Sequence, residues 1–121
     1  FTLGCGRVYG GTYEEMQTSI DKLRELPDDT HLFASHEFTD RSLRFALEYF
    51  PDDLKISEIK EELLLKIKNS IPTTPTRLGF EKTYNPFLRT GEDYVKQKMG
   101  LANAKNWEVF EKIRELRNSF Q

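Results

Sequence analysis

The stretch Thr30-His31-Leu32-Phe33-Ala34-Ser35-His36-Glu37-Phe38-Thr39-Asp40 decides how the fold is read. Its first half reads as a short strand following the turn Pro27-Asp28-Asp29, and Glu37 to Asp40 reads as a helix start, which puts the His36 imidazole at a strand's C-terminal end. Ligand and metal sites gather at that edge in α/β architectures, and neutral imidazole is the commonest metal ligand. One histidine does not hold a metal, however. His31, the one other histidine, stands five residues earlier and faces the opposite way in a strand of period 2. If His36 is a ligand, its partners lie outside these residues.

Around this strand the pattern is helical. Thr12 and Glu15 have capping-box spacing, and Tyr13, Met16, Ile20 and Leu23 predict a helix from Thr12 to Leu26 that Pro27 ends. Leu43, Ala46, Leu47 and Phe50 predict a second helix over Asp40 to Phe50, closed by Pro51. Asp52 or Asp53 caps a third, with Ile56, Ile59, Leu63 and Ile67 on its buried side, and its pattern stops at Asn69. Pro72 and Pro75 make the next segment a semi-extended connector. A short helix is expected over Glu92 to Met99, and a last one over Asn106 to Phe120 with an Asn cap and the stripe Val109, Phe110, Ile113, Leu116. The expected class is therefore mainly α. One strand cannot form a sheet, so this reading has it completing a sheet from sequence outside the chain, with Ile20, Leu23, Phe33, Leu43 and Leu47 packing partly against that sheet.

The first eleven residues hold four of the seven glycines, a density suited to positive φ and close backbone approach. The chain opens inside a loop, and the expectation is that it forms the C-terminal part of a longer protein. A length of 121 residues accommodates one modest domain. A net charge of -2 gives no sign of nucleic-acid binding, and no apolar run is long enough to cross a bilayer. A single cysteine excludes an internal disulfide and agrees with a reducing compartment, so a cytoplasmic setting is expected, with a mitochondrial one as the alternative.

Four blocks carry a resemblance: Leu3-Gly4-Cys5-Gly6-Arg7-Val8-Tyr9-Gly10-Gly11-Thr12, Leu26-Pro27-Asp28-Asp29-Thr30, Ser35-His36-Glu37-Phe38-Thr39 and Tyr84-Asn85-Pro86-Phe87-Leu88-Arg89. In order and spacing the chain resembles glyoxalase II, the hydroxyacylglutathione hydrolase family of the metallo-β-lactamase superfamily. The resemblance implies a thioesterase that converts S-D-lactoylglutathione to D-lactate and glutathione in methylglyoxal detoxification. It implies a dinuclear metal centre of zinc, iron or manganese that supplies a metal-bound hydroxide. It also implies that residues 1–37 are the end of a metallo-β-lactamase-like αββα domain and residues 38–121 a helical glutathione-binding domain.

Carried onto this sequence, the resemblance makes His36 the last metal ligand. The family's His-x-His-x-Asp-His motif, a further histidine and the bridging aspartate would all precede Phe1. The chain alone is therefore expected to be inactive, with the N-terminal metallo-β-lactamase domain as its partner. Arg7 and Tyr9 match residues that contact the glutathione backbone, and Arg114 and Arg117 match the basic pair that holds the glycine carboxylate. Being three apart on a helix, Arg114 and Arg117 share a face, although basic residues near a helix end also simply complement its dipole. Phe38 matches a ligand-contacting position that is usually tyrosine, so a hydroxyl is lost. Arginine replaces the common lysine at 7 and 117, which favours forked binding. Two readings compete: a cysteine hydrolase with Cys5 as nucleophile, His36 as base and Arg7 lowering the thiol pKa, and a non-catalytic helical interaction module.

Overall fold

The computed structural model describes residues 1–121 and is mainly α. The order is α1 (Tyr13–Arg24), β1 (His31–Leu32), α2 (Thr39–Tyr49), α3 (Leu54–Lys68), β2 (Thr76–Arg77), α4 (Leu78–Tyr84), a 3-10 turn (Pro86–Leu88), α5 (Asp93–Lys98) and α6 (Asn106–Ser119). No helix is long and apolar enough to cross a membrane.

The helices form where caps and stripes predict them. The Thr12 hydroxyl accepts from the Glu15 N–H at 3.1 Å and opens α1, while Asp53 accepts from the Lys55 N–H at 3.0 Å and opens α3. At α6 the cap is Lys105 rather than Asn106, because the Glu108 carboxylate reaches back to the Lys105 N–H at 2.9 Å. The apolar stripes meet in two buried clusters. The larger joins Ile20 of α1, Phe45 of α2 and Phe50 just after it, Phe87, Val95 and the α6 residues Val109, Phe110 and Ile113. The smaller joins Leu3, Leu43, Ala46, Ile56, Ile59 and Leu63.

Three expectations need correction. The predicted strand is only His31–Leu32, and its partner lies within the chain: it pairs antiparallel with β2, His31 opposite Arg77 and Leu32 opposite Thr76. β2 escaped the sequence reading because it is two residues long and directly follows Pro75, where a strand signal is weakest. Next, the anticipated packing against an external sheet does not describe most of the residues concerned. Ile20 and Leu43 are buried in the chain's own clusters and Leu23 and Leu47 pack against them, while Phe33 alone of the five stays 81 % exposed.

Finally, α4 carries no side-chain cap and holds a glycine one residue in, so local propensity does not announce it. Tertiary bonds start it instead: the Leu78 and Gly79 N–H groups donate to Thr30 and Asp28 carbonyls at 2.8 and 2.9 Å. A Cβ at Gly79 would lie 3.0 Å from the Asp28 side chain, so this helix approaches the turn before β1 as only glycine permits.

Candidate functional site

Four segments converge on one cleft of about 730 Å³: the loop from Gly4 to Tyr9, the loop from Phe33 to Phe38, the first turn of α2 and the C-terminal half of α6. All six residues singled out from sequence, Arg7, Tyr9, His36, Phe38, Arg114 and Arg117, line it.

The glycine-rich loop is held from beneath by a buried carboxylate. Glu81, fully enclosed, accepts from the Leu3 N–H at 3.2 Å, the Asn85 amide at 2.8 Å and the Thr76 hydroxyl at 3.0 Å. Burial pushes its carboxyl above the ordinary range, and the three hydrogen bonds only partly offset that. Asn85 also donates to the Gly4 carbonyl at 2.8 Å, so the Tyr84-Asn85-Pro86-Phe87 block acts as a turn and packing element that fixes the loop. Gly4 is the point of closest approach, since a Cβ there would meet the Ser42 hydroxyl at 2.9 Å. Just before the loop two buried non-glycine residues take positive φ, Thr2 at 52° and Leu3 at 67°, and the Leu3 N–H is held there by Glu81.

The loop carrying His36 is clasped by the connector after α3. Glu37 accepts from the Thr73 N–H and from the Thr39 and Thr73 hydroxyls, and the Ala34 N–H donates to Thr74 Oγ1 at 3.2 Å. Partial burial raises the Glu37 carboxyl pKa, but these bonds outweigh it and hold the group below the usual range. His36 itself lies past the end of β1, exposed, with its ring stacked on Phe38 at 5.2 Å and 20°. Neither ring nitrogen has a hydrogen-bond partner within the chain. No group of three His, Cys, Asp or Glu side chains comes together, so these residues do not assemble a metal site among themselves.

The opposite wall is cationic. Arg114 and Arg117 are 4 % and 9 % exposed, yet neither pairs with a carboxylate. Arg114 lies over the Phe87 ring at 5.2 Å, donates to Asn118 Oδ1 at 2.9 Å and donates to the Cys5 carbonyl. Burial, then the repulsion of Arg41, Arg114 and Arg7, pulls Arg117 down to about 10, and burial lowers Arg114 as well. Both arginines are thus buried where a helix-end reading would leave them solvated. Sequence reasoning missed Arg41, which sits on the polar face of α2, where charge is usual. In space it lines the cleft beside α6, donates to the Phe120 carbonyl and leaves its buried Nε without a partner. Cys5 lines the cleft too, but burial pushes its thiol pKa up, with Arg114 only partly opposing, which weakens the case for a nucleophilic thiolate.

The sequence model of the family described as Hydroxyacylglutathione hydrolase C-terminus matches residues 37–120. Among similar proteins are the hydroxyacylglutathione hydrolases of Bartonella tribocorum, 40 % identical over 121 residues, Pseudomonas fluorescens, 41 % over 125, and Maricaulis maris, 37 % over 120. Each alignment takes in 99 % of this chain and 47–49 % of the relative, so the chain spans about half the length of the curated relatives it matches.

Proposed function

Because this chain belongs to the hydroxyacylglutathione hydrolase family, as its C-terminal part, we propose that it forms the thiol-binding side of a glutathione thioesterase acting on S-D-lactoylglutathione and contributes one metal ligand, His36. The observation that supports this is the convergence of Arg7, Tyr9, Arg114 and Arg117 with His36 and Phe38 on one cleft whose guanidiniums have no internal counter-charge.

Arg114 and Arg117 present charge-assisted donors to a carboxylate, and the glycine end of glutathione is the group of that kind in the substrate. Arg7 and Tyr9 stand exposed a few residues beyond Leu3 and Gly4, which Glu81 and Asn85 tie down, and in this reading they meet the tripeptide backbone. His36 projects an unpaired imidazole at the far wall, oriented by the Phe38 ring, where the thioester end would lie. A dinuclear centre of zinc, iron or manganese supplies Lewis-acid activation of water and of the carbonyl when bound. Its remaining ligands belong to the part of the relatives that this chain does not span, in this reading an N-terminal metallo-β-lactamase domain.

The test is a titration of the chain with glutathione. The wild type should bind it, and Arg114→Ala or Arg117→Ala should weaken binding about ten- to hundredfold. In a protein carrying the complete site the same variants should raise KM and spare kcat, while His36→Ala should lower kcat and metal content together. The chain by itself should neither retain two metal equivalents nor turn over the thioester. Glutathione binding unchanged in both arginine variants would overturn the reading.

A further inference from the structure

The cleft holds more positive charge than one carboxylate can neutralise. Its lining includes four guanidiniums, Arg7, Arg41, Arg114 and Arg117, and not one Asp or Glu, although acidic residues outnumber basic ones in the chain as a whole. The surplus is concentrated on one side. Arg41 comes from the first turn of α2 and Arg114 and Arg117 from α6, and the strongest charge repulsion felt by Arg117 is that of Arg41. Arg41 is tethered through the Phe120 carbonyl, which fixes the side chain but brings no negative charge. Its Nε is enclosed by protein and unpartnered, so what Arg41 brings to the cleft is its uncompensated charge rather than that donor.

A single carboxylate between Arg114 and Arg117 leaves the Arg41 charge uncompensated. We propose that Arg41, Arg114 and Arg117 form a seat for a dianion, phosphate in its chemistry, so that the cleft prefers a ligand bringing two negative charges to this wall over one bringing a single carboxylate. A phosphate offers several oxygens to forked donors arriving from two different helices, which one planar carboxylate does not. Arg41 is then a specificity-determining residue. The inference shares its cleft with the thiol-binding reading above and goes beyond it: the phosphate is either a free ion or a group on a thiol carrier other than glutathione.

The experiment is a calorimetric titration of the whole chain with inorganic phosphate, sulfate and acetate at matched ionic strength, repeated with saturating glutathione. Phosphate and sulfate should bind at least about tenfold more tightly than acetate. Arg41→Gln should erase that preference and Arg41→Lys should keep most of it. Thermal melts of both variants establish that they fold, and the lysine variant preserves the charge if the Phe120 tether is lost. Phosphate excluded by glutathione places the seat inside the thiol subsite, where a phosphate-bearing thiol carrier would reach it, and phosphate bound beside glutathione assigns it to the free ion. Phosphate binding no tighter than acetate, or a preference that survives in Arg41→Gln, overturns the proposal. Failure of glutathione to bind while the phosphate preference persists would remove the thiol reading and leave the seat.

Discussion

Two groups of buried arginine in this molecule have opposite electrostatics. Arg89, 2 % exposed, is held at 2.5 Å by Asp53 and at 3.0 Å by Glu92, and these bonds outweigh burial and push its pKa up. Around it the Lys55–Glu92 and Lys98–Asp52 pairs knit the start of α3 to α5. Arg114 and Arg117 are buried to a similar degree beside the cleft, have no acidic partner and are pulled down. The same side chain thus does two jobs. Where the chain supplies the counter-charge the arginine ties elements together, and where it supplies none the arginine is poised for a counter-charge from outside.

Breaking the paired group should have the largest effect. Arg89→Met leaves Asp53 buried against an apolar neighbour, and loss of one partner of such a pair costs about 3–5 kcal/mol. A urea transition should show this as a lower midpoint at unchanged slope. An equal loss in Arg117→Met would erase the distinction between the groups.

Asn85 links the rigid interior to the cleft, and Asn85→Ala should cost about 1–3 kcal/mol by orphaning the Gly4 carbonyl and the Phe87 N–H. It should also change the pH profile. The folded-state pKa of Glu81 is raised, so the folded protein holds the extra proton. That contribution to stability is present at acid pH and is lost as pH rises through the folded value. Removing the amide donor leaves the carboxylate less compensated, so stability should fall more steeply with rising pH in the variant. A slope equal to that of the wild type would show that Glu81 does not depend on Asn85.

The smallest effect is expected at the unpaired group. Arg117→Gln should be neutral or stabilising by up to about 1 kcal/mol, since it relieves repulsion without leaving a carboxylate behind. The folded-state pKa of about 10 lies below the unfolded value, so the unfolded chain holds more protons between the two and wild-type stability recovers as pH rises through about 10. The variant's advantage should therefore be full near pH 7 and shrink toward about pH 10.5, as thermal melts across that range would show. A saturating anion should abolish the advantage at neutral pH.

Much of this was legible from local pattern. The capped, striped helices around Ile20, Ile56, Ile59 and Ile113 stand as read, because period and capping act over a few residues. The residues singled out through the family resemblance, from Arg7 through His36 to Arg117, line one cleft. Elements without a local signal were not legible. β2 exists because His31 and Leu32 lie beside it, and α4 because its first N–H groups find carbonyls some fifty residues away in the chain. Arg41 was hidden for the same reason, since on the helix it is an ordinary polar-face charge.

What the sequence determined by itself was the helical class and the boundaries of five of the six helices to within a residue or two, set by interactions within one or two turns. Tertiary structure decided which cations would have a partner. Arg89 meets Asp53, 36 residues away, whereas Arg41 meets the Phe120 carbonyl and no carboxylate, because the packing of α2 against the chain's C-terminal end settles what each charge faces.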